Sequence, residues 1–145
     1  MSRKLERSLL LAGGGWNLIT GILTIFGYSG WFQTNGLNTL RYSEVTPMEA
    51  SILLNRITTV IYVFGLLIFI GGILTCVIAK NLKDNQVQTK VLLWIGIWGS
   101  LQLLFSDVIS FYLYSAAFIL YLAKNKAIRR LVQNRNAHKD KPLHR

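Results

Sequence analysis

Arg56 and Asp107 are the residues of this sequence that most directly invite a chemical interpretation, because each lies at the border of an apolar segment. An isolated charge at such a border is costly, and an opposite charge nearby lowers the cost. We therefore predict an ion pair between Arg56 and Asp107. Two separately solvated interfacial charges are the alternative, and a role in binding an anion or in coupling protons is a third reading.

Patterns for catalysis or metal binding are weak. His138 and His144 lie close to the C-terminal end, and Cys76, the single cysteine, lies inside an apolar run. The apolar segments contain no carboxylate pair, nucleophile–base arrangement or zinc spacing. The glycines at 13–15 follow no strand and lack the lysine–serine pair of a phosphate-binding loop. We expect no enzymatic activity, no metal and no cofactor.

Small and polar residues recur at helical spacing within the apolar segments and predict helix packing. Lipid tails give helices no hydrophobic reason to associate, so small-residue contacts and interhelical hydrogen bonds must supply it. A polar path through the bundle is the alternative. Asn17 and Gln102 each need a hydrogen-bond partner if they are buried in hydrocarbon. The predicted seam comprises Gly13, Asn17, Gly21, Thr24, Thr58, Gly65, Gly72, Gly96, Ser100 and Gln102.

The apolar stretch 57–79 organises the elements that must position these residues. It contains no charge and no proline, and as a helix it would be about 35 Å long, enough to cross the ~30 Å hydrocarbon core. The chain is 52% hydrophobic and 15% charged, which is typical of a membrane protein. We expect an all-α fold, an integral membrane four-helix bundle of two transmembrane hairpins. The predicted spans are 8–28, 50–79, 88–105 and 108–124, in a single domain over 1–135.

The borders of the first two spans carry distinct signals. Thr46, Pro47 and Glu49 predict a capping box at the start of the second helix. The basic N-terminal residues and the apolar run behind them resemble a signal peptide. No small-x-small cleavage site closes that run cleanly, and Trp16 and Asn17 interrupt the apolar pattern. We therefore expect the run to be retained as the first span. Residues 29–45 are predicted to be a polar loop.

Residues 91–123 are too long for one upright span, at about 50 Å as a single helix. We predict two spans with a turn at Ser106 and Asp107, since both residues compete with helix for local hydrogen bonds. One strongly tilted span is the alternative. Four spans place fourteen of the 16 lysines and arginines on one side and leave Arg41 and Arg56 on the other. This asymmetry predicts that both termini are cytoplasmic, in the plasma membrane.

The segment after the fourth span predicts a basic amphipathic extension along anionic lipid. Apolar residues at 127, 128, 131 and 132 fall on one helical face, with arginines beside them. Residues 136–145 are expected to form a disordered basic tail. Nucleic-acid binding by this tail is not expected, because no aromatic residues are interleaved among its cations. The predicted lipid-surface contacts are Lys124, Lys126, Arg129, Arg130 and Arg135.

These patterns predict a non-enzymatic multi-pass membrane protein that acts through helix packing with a membrane-protein partner, a second copy of itself, or lipid. An accessory, assembly or immunity-type role fits that description. A small oligomeric transporter or channel subunit is the alternative. Proton-coupled carriers usually need a carboxylate deep in the membrane, and Glu6 and Asp107 are both expected near its surfaces.

Overall fold

The regular structure is helical throughout the described part of the chain, so the all-α fold class is confirmed. A computed structural model describes residues 3–40, 46–84 and 86–139. The first three helical elements follow one another without a break and form one long helix over residues 4–40. The elements are α1 (Lys4–Ile22), a π-helical segment (Leu23–Tyr28), α2 (Ser29–Leu40), α3 (Pro47–Lys80), α4 (Thr89–Leu104) and α5 (Val108–Lys139).

Three helical segments are long and apolar enough to cross a membrane, namely Lys4–Gly36, Pro47–Lys80 and Val108–Arg135. In each of them only 28% of an apolar 18-residue stretch is buried inside the protein. α4 is also apolar but has 16 residues, about 24 Å of helix. Apolar side chains therefore cover much of the outside of the molecule, far more than a monomer in water would expose.

Packing divides the chain into two compact units. One combines the chain up to Gly13 with the chain from Thr75 onward, and the other is Gly14–Leu74. The sequence predicts one domain over residues 1–135, whereas the division passes through α1 and α3. We call the two parts the split unit and the central unit.

Glycines hold the two long helices of the central unit close together. A Cβ on Gly72 would lie 2.9 Å from the carbonyl oxygen of Gly14, and one on Gly21 would lie 2.9 Å from the Cβ of Phe69. A Cβ on Gly65 would meet a side chain at 2.7 Å. Contact positions rise along α1 as they fall along α3, so the helices are antiparallel. At such distances only glycine fits without movement of a neighbour.

The split unit has an apolar core that includes two stacked tryptophans. The rings of Trp94 and Trp98 are 5.5 Å apart and 6° from parallel. The indole N–H of Trp94 donates to Thr75 Oγ1 at 3.2 Å, which satisfies its polar group inside the core. The buried core residues are Leu10, Ala79, Ile95, Trp98, Tyr114 and Ala117.

A short turn joins α4 to α5 where the sequence predicts it. Ser106 has a φ of 58°, and its N–H donates to the carbonyl of Leu103 at 3.1 Å, while the N–H of Asp107 donates to the carbonyl of Gln102 at 3.0 Å. This is the Schellman pattern of helix ends, usually built with glycine. Asp107 then caps α5, because its carboxylate accepts from the N–H of Ser110 at 3.1 Å and from its hydroxyl at 2.7 Å. The predicted turn is confirmed.

The predicted polar loop over residues 29–45 is wrong for residues 29–40, which form α2. The polar side chains there bond to their own helix: Thr34 Oγ1 donates to the carbonyl of Gly30 at 3.0 Å, and Asn35 Nδ2 to that of Trp31 at 3.1 Å. Because these groups are satisfied locally, their polarity does not end the helix. Residues 41–45, including Arg41, lie outside the described residues.

The capping box before α3 is present. Thr46 Oγ1 donates to Glu49 Oε2 at 2.7 Å, and the N–H of Thr46 donates to the same oxygen at 3.3 Å. The hydrogen bonds from the hydroxyl and then the N–H of Thr46 hold the pKa of Glu49 below its ordinary value. Glu49 precedes the predicted span 50–79, so this start signal lies outside the apolar segment.

Candidate functional site

A network of buried charges lies at one end of the split unit, and Arg3 is its centre. Arg3 is fully buried. Its Nη2 donates to the carbonyl oxygen of Gln86 and to Oδ1 of Asn125, both at 2.7 Å, and its N–H donates to Oδ1 of Asp84 at 2.9 Å. Its guanidinium carbon lies 4.1 Å from the centre of the Tyr121 ring, a cation–π geometry. One side chain thus connects the N-terminal segment, the loop before α4, and α5.

The second contact of this network is an ion pair between Glu6 and Lys124. Glu6 Oε2 lies 2.7 Å from Lys124 Nζ, with side-chain exposures of 0% and 22%. Beside it, Arg7 Nη2 donates to the carbonyl oxygen of Leu82 at 2.7 Å. A buried charge requires such a partner, since its desolvation costs several kcal/mol. We call this set the end cluster; it comprises Arg3, Glu6, Arg7, Tyr121, Lys124 and Asn125.

Sequence reasoning did not find the end cluster. It treated Arg3 and Arg7 as charges that orient the chain, Glu6 as a surface carboxylate, and Lys124 as a lipid contact. The contacts join residues 75 to 122 positions apart, which no local pattern reveals. The one available signal was Glu6, a lone acid between cations at the start of an apolar run.

A groove rich in cations lies beside the end cluster, between the start of α4 and the C-terminal part of α5. It has a volume of about 540 Å³. Its rim carries three cations, and no carboxylate lines it among the described residues. We call it the basic groove. It is lined by Val87, Thr89, Leu92, Leu122, Ala123, Asn125, Lys126, Arg129, Arg130 and Gln133.

An apolar groove of about 610 Å³ follows the outer face of α4 and is bordered by Phe118 of α5. It shares Thr89 and Leu92 with the basic groove. Further along it reaches Gly96, where a Cβ would lie 3.2 Å from the Phe118 ring, and Ser100. The two grooves therefore adjoin at Thr89 and Leu92, and together we call them the α4–α5 groove.

The predicted lipid-surface cations separate into three environments. Lys126, Arg129 and Arg130 line the basic groove. Lys124 faces Glu6 instead. Arg135 is exposed further along α5, which continues to Lys139 and so passes the predicted start of the disordered tail at residue 136.

The predicted pair of Arg56 and Asp107 stays a prediction. Arg56 is exposed on α3 in the central unit. Asp107 belongs to the split unit, where its carboxylate accepts both bonds from Ser110 that cap α5. Asp107 thus has a local role that the sequence reasoning did not assign to it.

The remaining seam residues differ in whether their polar groups have hydrogen-bond partners. In the split unit, a Cβ on Gly13 would lie 3.3 Å from the Tyr114 ring. The hydroxyls of Thr24 and Ser100 donate to carbonyls one turn back on their own helices, at 2.8 Å each. Asn17 is fully buried. Two further seam residues, Thr58 and Gln102, are buried with side-chain polar atoms that have no partner in the described part of the chain.

Metal-ligating groups do not gather in the described residues: no three His, Cys, Asp or Glu side chains there could hold an ion together. His144 lies outside the described residues, and His138 falls in the last turn of α5. Comparison with known protein families, with curated proteins and with solved structures finds no match.

Proposed function

We propose that the chain is a small, non-enzymatic, multi-pass protein of the plasma membrane that acts through helix packing with a membrane partner or with lipid. An accessory, assembly or immunity-type role fits this description. The observation that carries the proposal is the exposed apolar surface of the helices. Three helical segments are long and apolar enough to cross a bilayer, and only 28% of an apolar 18-residue stretch in each is buried. Lipid is the solvent that such a surface suits.

The end cluster supports four crossings with both termini in the cytoplasm. It ties the N-terminal segment and the loop before α4 to Asn125 of α5. α4 starts from that loop and α5 returns to it. The turn at Ser106 therefore lies one full length of α4, about 24 Å, from the end cluster. A span this short is accommodated by local thinning of the bilayer. Fourteen cations then share one side, as the positive-inside rule requires.

The outer face of α4 is the surface we assign to contact with the partner or lipid. Leu93, Ile97 and Leu104 are 63%, 55% and 77% exposed, and all three line the apolar groove. Leu103 is exposed to a similar extent, 56%, but does not line the groove. The two kinds of position on one helix provide a matched comparison.

Photo-crosslinking from α4 in native membranes tests the proposal. A photoreactive residue at Ile97 is expected to give an adduct of defined mass, protein or lipid, that the same residue at Leu103 does not give. Equal, diffuse labelling from both positions would contradict a contact function for this face. Release of the protein from membranes by alkaline carbonate would contradict the membrane location itself.

A further inference from the structure

We propose that the α4–α5 groove binds one anionic phospholipid, with its phosphate at Lys126, Arg129 and Arg130 and an acyl chain along α4 past Leu92 and Gly96. This inference rests on the proposed membrane location and names the lipid class that the contact surface takes. A single bound lipid in a built groove differs from a helix that merely lies on a charged bilayer surface.

The cationic end of the groove fits a phosphate group. Lys126, Arg129 and Arg130 line it together, and Asn125 and Gln133 add amide groups. No ion pair joins these three cations to a carboxylate within the described side chains, and the buried carboxylate of Glu6 pairs with Lys124 instead. An arginine guanidinium binds phosphate oxygens through two parallel hydrogen bonds. This geometry favours binding of one phosphate group over a general attraction to a charged surface.

The remainder of the groove fits a hydrocarbon chain. From Thr89 to Leu104 it follows α4 for about 22 Å. The small residues Gly96 and Ser100 line it about midway along α4. The Ser100 hydroxyl already donates to the carbonyl of Gly96 at 2.8 Å, so it offers no unpaired donor to an apolar occupant.

The end cluster fixes the walls of the groove before any ligand arrives. Asn125, which lines the basic groove, accepts a hydrogen bond from the buried Arg3. Tyr121 holds the loop before α4 through its hydroxyl, which accepts from the N–H of Gln88 at 3.1 Å and donates to its carbonyl at 3.2 Å. A preformed site loses less conformational entropy on binding. The cationic end also lies on the proposed cytoplasmic side, where anionic lipids are concentrated.

Charge complementarity separates this occupant from two others. A partner helix would have to bring acidic groups to three cations at the membrane border while filling the apolar part as well. A free phosphate would satisfy the cations and leave the apolar groove empty. A phospholipid carries both an anionic headgroup and hydrocarbon chains in one molecule.

Native mass spectrometry of the full-length protein, recovered from membranes and held in detergent, tests the proposal. We expect one dioleoyl phosphatidylglycerol to bind per chain, about tenfold more tightly than dioleoyl phosphatidylcholine with the same acyl chains. Glycerol 1-phosphate, which is the headgroup portion without acyl chains, is expected not to compete. Equal binding of the two lipids, or full competition by glycerol 1-phosphate, would overturn the proposal.

Paired variants test the two ends of the site. Arg129→Gln with Arg130→Gln is expected to weaken phosphatidylglycerol binding about tenfold or more. Arg129→Lys with Arg130→Lys keeps both charges but removes the guanidinium groups, so its binding should lie between that of the parent and that of the glutamine pair. Lys80→Gln with Lys83→Gln removes the same amount of charge at exposed positions outside the groove and should leave binding unchanged. If this control pair weakened phosphatidylglycerol binding equally, the cations would act only through general electrostatic attraction, and the proposed site would be overturned.

The apolar end is tested by filling it. Ser100→Phe is expected to weaken phosphatidylglycerol binding severalfold, whereas Leu103→Phe, on the same helix but outside the groove, should not. Unchanged binding in Ser100→Phe would overturn the acyl-chain assignment. Protein recovered from membranes that binds no phosphatidylglycerol would overturn the lipid site alone, whereas protein absent from the membrane fraction would overturn the proposed function.

Discussion

Replacing Glu6 by glutamine removes the carboxylate that pairs with Lys124 while keeping the size of the side chain. The exchange leaves the ammonium of Lys124 and the guanidinium groups of Arg3 and Arg7 at one end of the split unit without that counter-charge. Glu6 is fully buried and its oxygen lies 2.7 Å from Lys124 Nζ. The expected result is a large loss of stability, because the remaining charges keep their desolvation cost and lose their partner.

The size of the loss follows from burial. At 2.7 Å and an effective dielectric constant of about 20, two unit charges attract by about 6 kcal/mol. Desolvation of the carboxylate offsets much of this. Removing one partner of a buried pair costs about 3–5 kcal/mol, and Lys124 is 22% exposed, so its head can move toward water. We therefore expect about 3 kcal/mol, or about 6–12 °C in Tm for a chain of this size.

Thermal unfolding in detergent micelles, followed by circular dichroism, measures the effect. The double variant Glu6→Gln with Lys124→Met removes both charges. It is expected to lose about 1 kcal/mol of stability, because neither charge of the pair is left without its partner. Lys83→Gln, an exposed loop cation, should leave Tm within 1–2 °C of the parent, about the effect of an ordinary surface substitution. If the double variant were as unstable as Glu6→Gln, or if Glu6→Gln unfolded at the parent temperature, the ion pair would not stabilise the fold.

Three further tests use the same unfolding assay. If the carboxylate of Asp107 caps α5, Asp107→Asn should leave the stability nearly unchanged, whereas Asp107→Ala should lower it by about 1 kcal/mol. An equal loss of stability in both variants, with rescue by exchanging the charges of Arg56 and Asp107, would instead support the predicted ion pair. Gly72→Ala should cost about 1–3 kcal/mol because its Cβ would lie 2.9 Å from a backbone oxygen, whereas Gly15→Ala, with nothing within 4 Å, should be neutral or stabilising; equal effects would refute the close packing. Ser106→Gly should stabilise by about 1 kcal/mol, since serine is held at a φ of 58°, and a loss would show that its side chain has a role of its own.

Local chemistry allowed some elements to be predicted from the sequence. The start of α3 was predicted from Thr46 and Glu49, whose side chains bond each other across one helical turn. The turn between α4 and α5 was predicted from Ser106 and Asp107 without any glycine or proline. Both signals depend on residues within four positions of one another. Such interactions depend mainly on neighbouring residues, so a local pattern can reveal them.

Other features depend on contacts that a linear pattern does not contain. The polarity of residues 29–40 favours a loop, but these residues form α2 because Thr34 and Asn35 bond back to their own helix. The end cluster was missed because Arg3 and Asn125 are 122 positions apart. The sequence shows that charges are present near an apolar border, but burial and partners decide whether they face lipid, water or each other.

The central claim is that the N-terminal segment, the loop before α4 and the end of α5 share the cytoplasmic side, while the turn at Ser106 reaches the outer side. Single cysteines in a Cys76→Ser background, labelled with a membrane-impermeant maleimide on intact cells, test it directly. Ser106→Cys should be labelled in intact cells, and Lys83→Cys and Gln133→Cys only after permeabilisation. Labelling of Lys83→Cys in intact cells, or protection of Ser106→Cys, would contradict the account.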